Sequence, residues 1–173
     1  MEESKKNTIT TKDIETLSNE LTYRRYIFTK DQINNIFGNL NVRDYIALHI
    51  IKETEAGEEI YSGRTYLKDL AEKMQLTIRQ ISQMVGGLKE QGLVLWSHDG
   101  DGSEGTYVTI TEAGKQLLQK DENALKDYYG KVIEKYGKDN MIQLLHLMKQ
   151  LETVMSSELE GMEVEKNYDK TVE

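Results

Sequence analysis

The sequence predicts a mainly α-helical fold with one small β-hairpin. Apolar residues recur at three- and four-residue spacings along most of the 173 residues, which is typical of helices with one buried face. The chain contains no proline, a residue that interrupts helix interiors. Only LVLWS and TYVTIT have the short β-branched and aromatic composition of strands, and a glycine-rich turn separates them.

Composition excludes several classes of protein. The chain has a net charge of −8 with 38% hydrophobic residues, and its longest apolar runs are far shorter than the roughly 20 residues of a membrane span. It has no cysteine, which excludes disulfides and thiolate metal sites. The first residues, MEESKKNTITTKD, have no apolar core of a secretory signal, so we expect none, and the sequence contains no GxxxxGK[ST], G-x-S-x-G or HExxH. We therefore expect a cytoplasmic protein that is not an enzyme and that needs no metal or cofactor.

The pattern of apolar residues predicts one domain over residues 11–160. Residues 11–39 and 112–160 are predicted to form long dimerisation helices around a head at 40–111, with a flexible segment at 1–10 and a disordered tail at 161–173. The last helix carries an apolar stripe formed by Met141, Leu144, Leu145, Met148, Leu151 and Met155. Such a stripe would be an exposed patch in a single copy, and a two-fold dimer would cover it.

Two short helices joined by a tight turn lie in the middle of the chain. Ile60 and Tyr61 are predicted to form a short strand ahead of them. Thr65 is predicted to cap the first helix, at 66–74, and Thr77 to cap the second, which ends before Gly92. This arrangement predicts a helix-turn-helix, and the β-hairpin that follows makes it a winged helix.

The second of these helices separates an apolar face from a polar face. The residues predicted to pack inward are Ile78, Ile81, Met84, Val85 and Leu88. Those predicted to point outward are Arg79, Gln80, Ser82, Gln83 and Gly86. Arginine can bond guanine and glutamine can bond adenine in a DNA major groove, and serine can reach phosphates. Any helix at a protein surface also has a polar outer face, so the order of the surrounding elements carries more weight.

Three segments resemble the multiple-antibiotic-resistance regulator (MarR) family of bacterial transcription factors: LAEKMQLT, LKEQGLV and VTITEAG. With the flanking helices, the resemblance covers about residues 11–160. It implies a winged helix-turn-helix head flanked by long N- and C-terminal dimerisation helices. It also implies a homodimeric, sequence-specific DNA-binding regulator, usually a repressor that a ligand releases, acting on a pseudo-palindromic operator in double-stranded DNA.

The resemblance also predicts two sets of binding residues. The predicted DNA-binding residues are Thr77, Arg79, Gln80, Ser82, Gln83, Thr65 and Lys89. A small aromatic effector is predicted to bind in a cleft lined by Tyr23, Tyr26, Arg24 and His49. The alternative for these tyrosines is ordinary helix packing with the hydroxyl at the rim.

The hairpin turn is acidic where the family's wing is basic. The family has an aspartate, one residue and then an arginine before the second wing strand, and here Gly102 and Glu104 fall at those positions. No lysine or arginine lies between Trp96 and Tyr107. A calcium loop starting at Asp99 fails, because Glu104 and Ile110 stand where glycine and glutamate are required.

The sequence therefore predicts a flexible wing that attracts DNA weakly. It leaves open whether the acidic residues Asp99, Asp101 and Glu104 still contact DNA. It also leaves open an alternative function: a winged-helix protein-interaction module that has lost DNA binding.

Overall fold

The computed structural model describes residues 9–29, 36–38, 40–55, 63–100 and 105–169, which form six helices and three strands. The elements in chain order are α1 (Thr11–Thr29), α2 (Val42–Glu55), β1 (Thr65–Tyr66), α3 (Leu67–Met74), α4 (Ile78–Glu90), β2 (Val94–His98), β3 (Thr106–Ile110), α5 (Glu112–Tyr136) and α6 (Lys138–Asp169). This composition confirms the predicted mainly helical class with a small β-wing.

The sheet is antiparallel, with strand order β1-β3-β2. β2 and β3 form the predicted hairpin, with Val94 opposite Ile110 and His98 opposite Thr106. The prediction did not include β1, and the predicted strand at Ile60 and Tyr61 lies outside the described residues. The sheet therefore has a third strand, which connects the segment before α3 to the wing.

The prediction that Thr65 caps α3 is wrong. Thr65 belongs to β1 and is only 2% exposed, and Tyr66 occupies the N-cap position without a capping hydrogen bond from its side chain. The pairing of Thr65 with Val108 of β3 directs the Thr65 side chain into the head, where its hydroxyl has no hydrogen-bond partner among the described residues. Thr65 therefore occupies a strand position where the sequence predicted a helix cap.

One hydrophobic core joins α2, α3, α4, the sheet and the start of α5. Its most deeply buried apolar side chains are Leu48, Ile51, Leu70, Ile81, Val85, Leu88, Val94, Val108 and Leu118. Three of the five residues predicted to face inward from α4 are in this set, and Met84 packs against it. Ile78 is 52% exposed, which corrects its prediction: it is the first residue of α4 and lies about one turn before Ile81.

Both ends of α4 are defined by the side chains and backbone expected there. Thr77 caps the helix as predicted, in a reciprocal capping box with Gln80. At the other end Gly92 has a φ of +73°, which glycine adopts without a steric penalty. The amides of Gly92 and Leu93 donate to the carbonyls of Lys89 and Leu88, the pattern of a Schellman motif. The ends of α4 and the start of the wing are thus fixed relative to each other.

The C-terminal part of the chain is more helical than predicted. α6 continues to Asp169, beyond the predicted end of the helix at residue 160. Residues 161–169 contain one glycine and no proline to end the helix. The chain divides into two compact units, one extending to Leu125 and one beginning at Lys126. The predicted domain boundaries, with a tail from residue 161, stay a prediction. No helix in the described ranges combines the length and low charge needed to cross a bilayer.

Candidate nucleic-acid interface

The outer face of α4 is open in the described structure. Arg79, Gln80 and Gln83 are exposed, and Ser82 is half-buried. A Cβ atom placed on Gly86 or on Gly87 would meet no atom within 4 Å. The described parts of the head therefore leave this face accessible along the helix, while the opposite face is buried in the core.

The capping box changes the role available to Gln80. The Gln80 side-chain oxygen accepts hydrogen bonds from the backbone amide and the hydroxyl of Thr77, both at 3.0 Å. The backbone amide of Gln80 in turn donates to the Thr77 hydroxyl at 3.3 Å. A bidentate contact with adenine needs both the oxygen and the nitrogen of a glutamine side chain. While the box is intact, the Gln80 side chain is therefore not available for such a bidentate contact.

The other two predicted DNA contacts lie in different surroundings. Lys89 is exposed in the last turn of α4, about 15 Å along the helix axis from Arg79, given a rise of about 1.5 Å per residue. Lys89 and Arg79 therefore lie at opposite ends of the helix. Thr65 is buried and cannot reach DNA from this position, so its prediction as a DNA-binding residue is wrong.

The wing contains a polar cluster that the sequence did not predict. Arg64 precedes β1, and its Nη1 atom donates to both carboxylate oxygens of Asp99, at 2.7 and 2.6 Å. The Tyr66 hydroxyl donates to the same carboxylate at 2.8 Å. The guanidinium of Arg64 also lies over the ring of Tyr107, 4.8 Å from its centroid. We call Arg64, Tyr66, Asp99 and Tyr107 the wing cluster.

The wing cluster gives Asp99 a role within the fold. The Asp99 amide donates to the carbonyl of Gly105 at 2.7 Å and so closes the end of the hairpin. The hydrogen bond to Asp99, together with desolvation, raises the pKa of the Tyr66 hydroxyl above its usual value. Asp99 is therefore engaged through its backbone and its side chain. The other two acidic residues of the turn, Asp101 and Glu104, lie outside the described residues.

The residues of the predicted effector cleft lie on two helices. Tyr23 and Tyr26 are 55% and 59% exposed on α1, where Arg24 forms an ion pair with Glu20 at 2.6 Å. His49 lies on α2 and stacks on Tyr45 with a centroid separation of 6.0 Å. The described contacts of Arg24 remain on α1, and those of His49 are with α2 and α5. The aromatic cleft remains a prediction.

His49 instead belongs to a polar group between α2 and α5. Glu122 lies 2.8 Å from the Lys52 ammonium and 3.3 Å from the His49 ring. Partial burial raises the pKa of Glu122, but the hydrogen bonds from Lys52 and His49 outweigh this and leave the pKa below its usual value. The neighbouring Asp121 is 2% exposed, and one of its oxygens accepts a hydrogen bond from the Gly38 amide at 3.3 Å. These contacts hold α2 against the first half of α5.

A helix-turn-helix followed directly by an antiparallel hairpin, with a third strand completing the sheet, defines a winged-helix protein. No protein-family model matches the chain. The chain is 28% identical over 126 residues to the uncharacterized HTH-type transcriptional regulator YxaD of Bacillus subtilis, covering 72% of this chain and 82% of that protein.

Solved structures give the same result for the fold. A MarR family transcriptional regulator from Rhodococcus sp. RHA1 superposes with a TM-score of 0.63 at 20% identity, covering 83% of this chain and 96% of that one. A structure of NadR in complex with 4-hydroxyphenylacetate has a TM-score of 0.60 at 17% identity, covering 82% and 98%. The chain therefore has the winged-helix fold of MarR family regulators, and the resemblance found in its motifs is confirmed.

Proposed function

We propose that this protein is a sequence-specific DNA-binding transcriptional regulator of the MarR family that inserts α4 into a major groove. The observation that carries the proposal is the accessible polar face of α4, opposite the buried Ile81, Val85 and Leu88. A helix with this division can rest on the head through one face and present donors to base edges through the other. The similarity to YxaD, itself named a transcriptional regulator, supports the same function.

In this proposal the predicted DNA-binding residues of α4 have defined roles. Arg79 bonds a guanine and Gln83 bonds an adenine or a neighbouring base. Ser82 and Lys89 position the helix on backbone phosphates, which fixes its register without reading sequence. Thr77 would have to give up the hydrogen bond that its hydroxyl donates to Gln80 before it could donate to a phosphate. Gln80 contributes mainly by fixing the start of the helix through the capping box.

We also propose that the regulator acts as a homodimer. On α1, Ile14, Leu17 and Phe28 are 52%, 63% and 77% exposed in the single chain. The exposed apolar residues of α6 are Ile142, Leu145, Leu147, Met148, Leu151, Val154, Leu159 and Met162. Apolar surface of this extent on two long helices is unusual for a monomer, and a second copy with the same surface covers it symmetrically.

A charge placed within the α6 stripe is expected to dissociate this dimer. Met148→Glu and Leu151→Glu each put a carboxylate where apolar side chains of two copies would meet, and burying an unpaired charge is costly. Sedimentation velocity should then show monomers at concentrations at which the wild type is dimeric. Gln150→Glu adds the same charge at an exposed polar position of the same helix and should leave the dimer intact. Equal effects of all three variants would contradict the assignment.

A two-fold dimer of such heads reads a pseudo-palindromic operator. Its two recognition helices would enter successive major grooves, so the half-sites are expected to lie about one helical turn, 10–10.5 bp, apart. Bound in this way within a promoter, the dimer would repress transcription by occluding the polymerase. The protein would carry out this function in the cytoplasm.

We further propose that a small aromatic effector controls the dimer. The structure of NadR, which shares the fold, contains 4-hydroxyphenylacetate. In this chain Tyr23 and Tyr26 offer exposed aromatic surface. His49 would have to exchange its contact with Glu53 or with Glu122 to bind an effector. Arg24 would have to exchange its ion pair with Glu20 for an acidic effector.

The charge of the chain favours one alternative function. With a net charge of −8, the protein could instead bind another protein through its winged-helix head. A gel-shift assay with the DNA upstream of its own gene, at low and at moderate salt, separates the two. The regulator proposal expects a retarded complex that competitor DNA of unrelated sequence does not displace, and no retarded complex at either salt concentration would favour the protein-interaction module.

A further inference from the structure

We propose that Arg64 is the residue of the wing that binds a DNA phosphate, and that Asp99 competes with the phosphate by holding Arg64 when DNA is absent. This inference rests on the proposed DNA-binding function and adds a residue that the hairpin sequence alone does not contain. The ligand is a backbone phosphodiester of double-stranded DNA, so the contact is independent of base sequence.

The geometry of the wing cluster brings a positive charge to the hairpin. Arg64 approaches from outside the hairpin, because the pairing of β1 with β3 places Tyr66 opposite Tyr107. The guanidinium then passes over the Tyr107 ring to reach Asp99, which directly follows β2. An arginine from another segment thus lies beside Asp99, although the hairpin sequence has no lysine or arginine.

The two competing anions share the same hydrogen-bonding chemistry. A phosphate and a carboxylate both accept hydrogen bonds from a guanidinium, whose fixed donors match both groups. In the structure a single nitrogen, Nη1, makes both short bonds to Asp99. A phosphodiester offers two unesterified oxygens, so it can replace the carboxylate at that nitrogen without any change in the number of bonds.

The ion pair between Arg64 and Asp99 is weak enough to exchange. The side chains of Arg64 and Asp99 are 36% and 33% exposed, so water and salt screen their attraction. Ion pairs with this degree of exposure seldom change an equilibrium by more than about fivefold. Asp99 can therefore hold Arg64 in the unbound protein and still release it when a phosphate approaches.

The wing cluster lies on the part of the head that directly follows α4. The Schellman motif at Gly92 fixes the direction in which the hairpin leaves the helix. In the proposed docking, with α4 in a groove, the wing cluster meets the adjacent phosphate backbone. Replacing Asp99 by a neutral residue removes one negative charge from this cluster and leaves the charge of Arg64 in place.

A double-mutant cycle with Asp99→Asn and Arg64→Gln tests this competition. The probes are a duplex from the upstream region of the gene and a shuffled duplex of the same length, each titrated by fluorescence anisotropy over a range of salt. Asp99→Asn should bind both duplexes about three- to fivefold tighter at low salt, with a salt slope steeper by about one unit. Thermal unfolding of each variant checks that the head is still folded.

The effect of Arg64→Gln in the two backgrounds identifies whether Arg64 is the phosphate-binding group. In the wild-type background, Arg64→Gln should weaken DNA binding less than about twofold, because Asp99 already offsets the charge of Arg64. In the Asp99→Asn background, Arg64→Gln should remove the whole increase in affinity that Asp99→Asn produces. Glu134→Gln, an equal charge change on the exposed surface of α5, should leave both affinities unchanged. A gain that persists in the double variant would show that another group binds the phosphate.

Other outcomes also decide the question. Absence of a gain in Asp99→Asn, or an equal loss from Arg64→Gln in both backgrounds, would overturn the competition while leaving the regulator function in place. If the wild type does not distinguish the two duplexes but the cycle behaves as expected, the regulator proposal fails and the inference stands. If no variant binds either duplex, both are overturned.

Discussion

Replacing Gly114 by alanine is expected to destabilise the head by about 3 kcal/mol. Gly114 is buried in the first turn of α5, next to Leu93 and Ile110 at the base of the wing. A Cβ atom at this position would collide with the carbonyl oxygen of Leu93 and would lie 2.8 Å from Cγ1 of Ile110. Because the carbonyl oxygen belongs to the backbone, it cannot move aside as a flexible side chain would.

The surrounding hydrogen bonds leave little room for adjustment. The Leu93 carbonyl accepts from the amide of Thr111 at 3.0 Å and from its hydroxyl at 3.1 Å. The Thr111 hydroxyl also accepts from the Gly114 amide at 3.0 Å, which caps the start of α5. Moving α5 outward to fit a methyl group would stretch these bonds together. The loss should appear in urea unfolding as a lower midpoint with an unchanged slope.

Gly130→Ala is the matched control for this substitution. Gly130 lies in the same helix, and a Cβ atom there would meet nothing within 4 Å. Alanine should therefore stabilise that part of α5 by about 1 kcal/mol, the usual difference in helix propensity. If both variants change the free energy of unfolding in the same direction, steric crowding at Gly114 is not the cause.

Replacing Arg79 by alanine is expected to weaken operator binding by about 1–3 kcal/mol, or about 5- to 150-fold. The arginine supplies a bidentate contact to guanine that a methyl group cannot replace. Because Arg79 is exposed, the free energy of unfolding should change by no more than about 0.5 kcal/mol. Anisotropy titration of an operator duplex measures the loss.

Lys131→Ala provides the control for charge. Lys131 is exposed on α5, and its removal changes the net charge by the same amount. It should leave operator affinity within about twofold of wild type, because it makes none of the proposed phosphate contacts. Equal losses from Lys131→Ala and Arg79→Ala would mean that total charge, and no particular contact, determines the affinity.

Local sequence signals were sufficient for much of the head. The ends of α4 were predictable because Thr77 and Gly92 determine them through hydrogen bonds within a few residues. The hairpin was predictable because its two strands are consecutive and a glycine-rich turn joins them. The burial of Ile81 and Leu88 followed from helical spacing alone.

Features that depend on distant residues were not predictable in the same way. Arg64 and Asp99 are 35 positions apart, and only the pairing of β1 with β3 brings them together. The burial of Thr65 depends on the same pairing, which a two-residue strand does not reveal in its composition. In a strand, Thr65 and Tyr66 point to opposite faces of the sheet, but two residues are too few to show this alternation in the sequence.

The candidate site shows a further limit of reasoning from sequence. Gln80 was predicted as a reader of bases because its residue type and position fit that role. Its spacing of three residues from Thr77 fits a capping box equally well, and the structure contains the box. The type of an exposed residue therefore defines which ligands it can bind. The hydrogen bonds that it makes within the protein determine whether its polar atoms are available to DNA.

Selection of genomic fragments by the purified protein, followed by sequencing, tests the central claim most directly. We expect the wild type to recover one pseudo-palindromic motif with half-sites about 10–10.5 bp apart. We expect Arg79→Ala to lose base preference at one position in each half-site and to keep the spacing. Recovery of no common motif by the wild type, or of an identical motif by Arg79→Ala, would contradict the claim that the outer face of α4 reads DNA.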